Sequence, residues 1–169
     1  ERLNFVPEPY FIIDLPMSNK KEPSIYDCFD TYFEGEKLEG ENAWFNEKTN
    51  KKEDVTRNIT FWSLPDVLVV SFKRFTTSLR KDQRLVDFPL ENLDLRKYVD
   101  GYHKETYIYD LCGVCNHSGN VMGGHYTAYV KNVDKSWYCF NDTQVNNIAD
   151  TTKIVSTYAY CLFYSKKKK

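Results

Sequence analysis

The chain has 169 residues, 41% of them hydrophobic and 16% aromatic, with a formal net charge of −1. That length suffices for one domain with a buried core, and the near-neutral balance excludes a global attraction to nucleic acid or an anionic membrane. No run reaches the ~18 apolar residues of a membrane helix, and no signal-peptide pattern is visible. The five cysteines show no disulfide framework, so reduced thiols in a cytoplasmic or nuclear setting are expected.

In chain order, Tyr10-Phe11-Ile12-Ile13-Asp14-Leu15 reads as a strand stopped by Pro16. Ser24 is predicted to cap a short helix. Asp27 lies three residues on, and Ile25, Cys28, Phe29 and Tyr32 make an apolar stripe. Glu34 to Asp54 is polar and Asn- and Lys-rich, broken by Leu38, Trp44 and Phe45, and reads as a hairpin or extended loop standing off the core. Val67-Leu68-Val69-Val70 is a continuous apolar run suited to a central strand buried on both faces, continuing to Phe75. Thr76 to Arg84 is a polar loop leading into Leu85-Val86-Asp87-Phe88-Pro89. Thr106 to Asn116 alternates as a strand, and Ser118 to Gly124 is a glycine-bearing loop. Tyr126 to Val130, Trp137 to Phe140 and Tyr158 to Tyr164 supply three more strands, and Lys166 to Lys169 is a solvated basic tail. The expected fold class is α+β, β-dominated, with an antiparallel sheet and no internal repeat.

The stretch with most chemistry is Gly123-Gly124-His125-Tyr126, followed by Trp137-Tyr138-Cys139-Phe140-Asn141-Asp142. A hairpin centred on Val133-Asp134-Lys135-Ser136 brings His125 and Asn141 within a residue or two of facing each other. An Asn or Asp oxygen accepting from one imidazole nitrogen leaves the other as a base; Asn141 does this without adding charge, and Asp142 is the alternate. A lone histidine near a loop is also commonly just a hydrogen-bonded residue. His103, in a polar loop, reads as structural, and His117 as structural or loop-supporting. Cys112 and Cys115 form a C-x-x-C with no second pair to complete a zinc set. They would point to opposite faces of one continuous strand unless it broke at Gly113. Cys28, Cys139 and Cys161 read as packing residues, and no thiol sits at a helix N-terminus that would activate it.

Eight pieces in order carry a family likeness. They include Leu38-Glu39-Gly40-Glu41-Asn42, Leu64-Pro65-Asp66-Val67-Leu68-Val69-Val70, Phe72-Lys73-Arg74-Phe75, Phe88-Pro89 with Leu93-Asp94-Leu95, and Tyr109 to Gly119. The histidine box Gly123 to Val130, Trp137 to Asp142, and Ala159-Tyr160-Cys161-Leu162-Phe163-Tyr164 complete them. Over nearly its whole length the chain resembles the C-terminal half of a ubiquitin-specific protease catalytic domain.

The resemblance implies a papain-like thiol isopeptidase built as thumb, palm and fingers. Residues 1–169 would be a partial domain, with finger-like hairpins at about 34–60, a palm sheet at 61–165 and the tail at 166–169, and without the thumb helices. It implies that His125 is the general base, that Asn141 orients it, and that Asp142 supports the triad or the oxyanion. Phe75 and Tyr126 would flank the channel for the ubiquitin C-terminus, and the segment 119–124, with Gly123 and Gly124 against the substrate, would be a mobile loop over it. The family's cysteine box is not found here and is expected N-terminal to Glu1, so this chain would supply the base but not the nucleophile and would be inactive alone. Trp44 to Asn50 carries none of the fingertip cysteines that hold zinc in many members, so no cofactor and no metal are expected. The implied partners are ubiquitin, ubiquitinated proteins and a thumb-bearing segment, with no nucleic acid and no membrane. The alternatives are a non-catalytic ubiquitin-binding scaffold and, more weakly, a zinc-binding β domain.

Overall fold

The computed structural model describes residues 5–168; Lys169, the end of the basic run, lies outside them. In chain order the elements are β1 (Ile13–Pro16), α1 (Ile25–Phe33), β2 (Glu36–Leu38), β3 (Trp44–Asn46), β4 (Lys51–Glu53), β5 (Val55–Arg57) and β6 (Val67–Lys73). They continue with β7 (Leu93–Asp94), β8 (Ile108–Asn120), β9 (Gly123–Lys131), β10 (Trp137–Asn141), β11 (Gln144–Ile148) and β12 (Ala159–Lys166). The main sheet has eight strands, ordered β1-β6-β12-β8-β9-β10-β11, with β7 off this path and paired with Ile108 and Tyr109 of β8. The fold is the expected α+β, β-dominated one. Among the described residues no helix is long and apolar enough to cross a membrane.

The helix forms as its sequence predicts. The Ser24 hydroxyl accepts from the Asp27 amide at 3.2 Å, and the Asp27 carboxylate accepts from the Ser24 amide at 2.8 Å, closing a capping box. Lys20 sits 2.6 Å from Asp27. That contact and the two Ser24 hydrogen bonds pull the Asp27 carboxyl down to about 2. Ile25, Cys28 and Phe29 are buried against the sheet. The core lies between α1 and one sheet face, where Leu15, Leu68, Val70, Phe72, Leu111, Val114, Leu162 and Tyr164 are at most 1% exposed.

Several expectations are corrected. The sheet is not wholly antiparallel: β1 runs parallel to β6, because a long crossover carrying α1 and the short hairpins joins them. That strand starts at Ile13 rather than Tyr10 and includes Pro16, which an edge strand tolerates. In β6, Leu68 and Val70 are fully buried, but Val67 is 57% exposed and Val69 half-buried. The apolar run therefore has one core face, not two. The glycine-bearing segment is mostly ladder: Ser118 pairs with His125, Gly119 with Gly124 and Asn120 with Gly123, leaving Val121-Met122 as the turn. Glycines contribute no side chain to an alternation pattern, so this extension of β8 and β9 is invisible to it. Strand β11 has no counterpart among the elements expected from the sequence. The basic run is not free of the fold either: Lys166 ends β12 and pairs with Asp66 at 3.0 Å, and the Lys167 ammonium donates to Asn92 at 2.7 Å.

Residues 36–57 form two small sheets separate from the main one. Strand β2 pairs with β5, and β3 pairs with β4 between them.

Candidate active site

The histidine box is positioned by the β8–β9–β10 ladder. Tyr129 of β9 faces Cys139 of β10, and Ala128 faces Phe140. The connecting turn closes through the Asn132 amide donating to the Ser136 carbonyl at 2.9 Å, with Lys135 at φ 65°. This register brings the His125 Nε2 to 2.6 Å from the Asn141 Oδ1. With that carbonyl oxygen as acceptor, Nε2 carries the proton and Nδ1 keeps its lone pair. Asp142 turns the corner into β11 at φ 50°, and its carboxylate lies 3.9 Å from the same Nε2. The His125 side chain is 49% exposed and that of Asp142 78% exposed. The arrangement is an imidazole held in one tautomer by a neutral carboxamide, with a carboxylate at longer range. Among the described residues no cysteine sulfur hydrogen-bonds to His125.

Strand alternation puts Tyr126 on the opposite face of β9 from His125. There it meets His117, its register partner, with ring centroids 4.7 Å apart. Phe75 and Tyr160 close the group, Phe75 at 5.7 Å from His117 and Tyr160 at 5.9 Å from it. The two expected channel residues, Phe75 and Tyr126, are thus joined through His117, read from the sequence as structural or loop-supporting, and Tyr160, which the sequence reading gave no role. His117 is 3% exposed, and burial together with nearby Lys81 lowers its pKa, favouring the neutral ring. The Lys81 ammonium donates to the His117 carbonyl. Tyr160 reaches the group because β12 carries a bulge: Ala159 faces Asn116 and Cys161 faces Cys115, leaving Tyr160 as the extra residue. The one available sequence signal was the adjacency of Asn116-His117 to a glycine-bearing hairpin.

Arg74 fixes the position of this group. It is fully buried; its Nε donates to the Ala159 carbonyl at 2.8 Å and its Nη1 to the carbonyls of Asp82 and Arg84 at 3.0 and 2.8 Å. One guanidinium so ties the end of β6, just before Phe75, to the start of β12, just before Tyr160.

The two glycines before His125 differ in what they permit. A Cβ on Gly124 would lie 2.2 Å from the His117 Nε2 and 2.3 Å from the Ser118 carbonyl oxygen, whereas one on Gly123 would meet nothing within 4 Å. Gly124 is required for His117 to lie beside β9; Gly123 is not required by the chain itself.

His103 is exposed and lies 3.9 Å from Glu105, apart from the site. The C-x-x-C reading needs one correction. The ladder with β12 slips at Cys112, with Gly113 facing Phe163 and Leu111 facing Tyr164. Leu111 and Val114 therefore share the core face, and Cys112 and Cys115 share the outer one. Cys112 spends its thiol on the Phe163 carbonyl at 3.3 Å. Among the described residues no three His, Cys, Asp or Glu side chains gather as a metal would need.

Comparison with known proteins adds a family. The family model described as "Ubiquitin carboxyl-terminal hydrolase" matches residues 17–164. Ubiquitin carboxyl-terminal hydrolase 9 of Arabidopsis thaliana is 37% identical over 147 residues, 85% of this chain and 16% of the relative. Ubiquitin carboxyl-terminal hydrolase 15 of Homo sapiens is 40% identical over 145 residues, covering 83% and 15%. Among solved structures, the SAGA DUB module Ubp8/Sgf11/Sus1/Sgf73 bound to monoubiquitin matches with a TM-score of 0.77 at 30% identity, covering 92% of this chain and 35% of that one. The same module bound to ubiquitin aldehyde matches with a TM-score of 0.77 at 27% identity, covering 92% and 36%. The chain thus spans about a sixth of these curated relatives and about a third of the structural neighbours.

Proposed function

Because the chain belongs to the ubiquitin carboxyl-terminal hydrolase family, we propose that it is the palm-and-fingers part of a thiol-dependent deubiquitinase. In this reading it supplies the general base and the tail channel, and a thumb-bearing segment supplies the nucleophilic cysteine. The observation that carries the reading is the 2.6 Å contact between His125 Nε2 and Asn141 Oδ1. It leaves Nδ1 as the basic nitrogen, aimed away from its orienter and able to take a proton from a thiol. The thiolate then attacks the carbonyl carbon of the terminal ubiquitin glycine. The imidazolium returns its proton to the leaving amine, and water activated by the same Nδ1 releases the acyl group. Asn141 holds the ring through both steps, and Asp142, at 3.9 Å, supports the triad or the oxyanion.

Phe75, His117, Tyr126 and Tyr160 flank the path of an extended chain end to the hairpin tip. Gly123 and Gly124 give that chain end a surface free of side chains. The fingers hold their shape by hairpin hydrogen bonds rather than zinc, which metal analysis of the purified chain tests: a stoichiometric ion contradicts it.

The test of catalysis joins this chain to a thumb segment bearing the cysteine box of a relative and follows release of a fluorophore from the ubiquitin C-terminus. Activity should appear, and His125→Ala should lower it about 10³–10⁶-fold, since members of such a unit act together. Activity that survives His125→Ala removes the proposed base. Ubiquitin binding without any cleavage favours the scaffold reading instead.

A further inference from the structure

Beyond the catalytic reading, and independent of it, the outer sheet face carries a pair of thiols that no part of the site uses. Cys115 of β8 and Cys161 of β12 are direct partners in the antiparallel ladder, so their side chains leave the same face with Cβ atoms about 4.5–5.5 Å apart, which a disulfide would draw in to about 3.5–4.5 Å. Antiparallel partners have Cα separations of about 4.5 or 5.5 Å, inside the ~4.4–6.8 Å window of a disulfide. Both thiols are free and half-buried, so neither is sealed in the core as Cys28 is. The other three cysteines are placed differently: Cys28 is fully buried, Cys112 is bonded to the Phe163 carbonyl, and Cys139 faces Tyr129 and Asn146.

We propose that Cys115 and Cys161 form a redox-modification site, which a peroxide converts to a reversible cross-strand disulfide. The reaction balances in two steps. One thiol, as thiolate, attacks a peroxide oxygen and cleaves the O–O bond, giving a sulfenic acid and, for hydrogen peroxide, one water. The second thiol then displaces the sulfenic oxygen as a second water, forming the S–S bond. Two thiols lose two electrons and two protons, and the peroxide is reduced to two waters.

The surroundings disfavour the thiolate at both positions. Burial, the neighbouring Cys115 and Asp14 raise the Cys161 thiol to about 11, whereas Cys115 is raised by burial alone. Asp14 is held across the row by the Ser71 hydroxyl, and Ser71 is the β6 partner of Cys161. Both thiols are therefore mostly protonated. Scarce thiolate also keeps the pair reduced until an oxidant is supplied.

The bond would close over the bulge that carries Tyr160, next to Cys161 in sequence and 5.9 Å from His117 in space. Oxidation therefore fastens the β12 side of the aromatic group to the β8 side.

The test treats the full chain with hydrogen peroxide and maps it by mass spectrometry without reduction. The expected product is a cross-linked peptide joining residues 115 and 161. The thiol count in denaturant should fall from the five free cysteines by the two that bond. Dithiothreitol should reverse both changes, Cys112→Ser should leave the link in place, and Cys115→Ser or Cys161→Ser should abolish it. Sulfinic acid at either position without a cross-link, a link to Cys112 or Cys139, or a link that persists in Cys161→Ser overturns the proposal. If a serine variant does not fold, the peptide maps of the unaltered chain and Cys112→Ser still decide.

Discussion

The β8–β9 ribbon, in the part proposed as the palm, and the β3–β4 ribbon, in the part proposed as the fingers, are held by different means. The palm ribbon continues strands whose inner halves are buried: Leu111 and Val114 are at most 1% exposed, and β12 covers its flank. The finger ribbon pairs only with itself. Its order comes from Asn46 donating to the Glu53 carboxylate at 3.1 and 3.2 Å and Thr49 reaching Glu53 at 2.5 Å. An isolated two-stranded hairpin is marginal in water. A ribbon that borrows rigidity from an eight-stranded sheet can hold a histidine at one distance from its orienter, and a self-supporting one can only present a surface.

The largest effect should fall on the palm side. Leu162→Ala removes a fully buried side chain from β12 and should cost about 2–5 kcal/mol in urea unfolding. A cost near zero would mean that the palm is no better anchored than the fingers. Gly124→Ala comes next, at about 1–3 kcal/mol, because the new methyl meets the His117 ring at 2.2 Å. Gly123→Ala, with open space around it, should stay within about 0.5 kcal/mol. Equal costs at the two glycines would remove the distinction drawn at the hairpin tip.

Smaller is the helix cap behind the sheet, where Ser24→Ala should cost about 1 kcal/mol. Its acid limb has a definite sign. The Asp27 carboxyl lies at about 2 in the fold, against about 3.9 in an unfolded chain. Its contribution is therefore full above about pH 4 and is lost as pH falls through about 2. Unfolding midpoints over that window should drop, and Asp27→Asn should flatten this part of the slope. Smallest is the finger change Phe45→Ser, at a side chain 49% exposed, expected within about 0.5 kcal/mol. Loss of palm stability on that change would show that the two ribbons are coupled.

Legibility in the sequence follows the same division. The capping box was readable because Ser24 and Asp27 act through local spacing. The His125–Asn141 approach was readable because a short hairpin fixes register. The finger stretch was readable as a polar excursion, but its pairing of β2 with β5 around an inner hairpin was not, since four strands of three residues carry too little alternation. The burial of Arg74 and the entry of Tyr160 into the aromatic group were hidden for another reason. Each depends on a non-local carbonyl or a bulge, and neither leaves a periodic trace. The ladder through Gly119 and Gly124 was hidden because glycine has no side chain to alternate.

The central claim is that His125 is held with its proton on Nε2 and its lone pair on Nδ1. Nitrogen-15 NMR of the imidazole in the full chain at neutral pH tests it directly. For the neutral ring the structure predicts a single Nε2–H tautomer, which becomes a mixture in Asn141→Ala. A proton on Nδ1, or a tautomer mixture already present with Asn141 intact, would contradict the account.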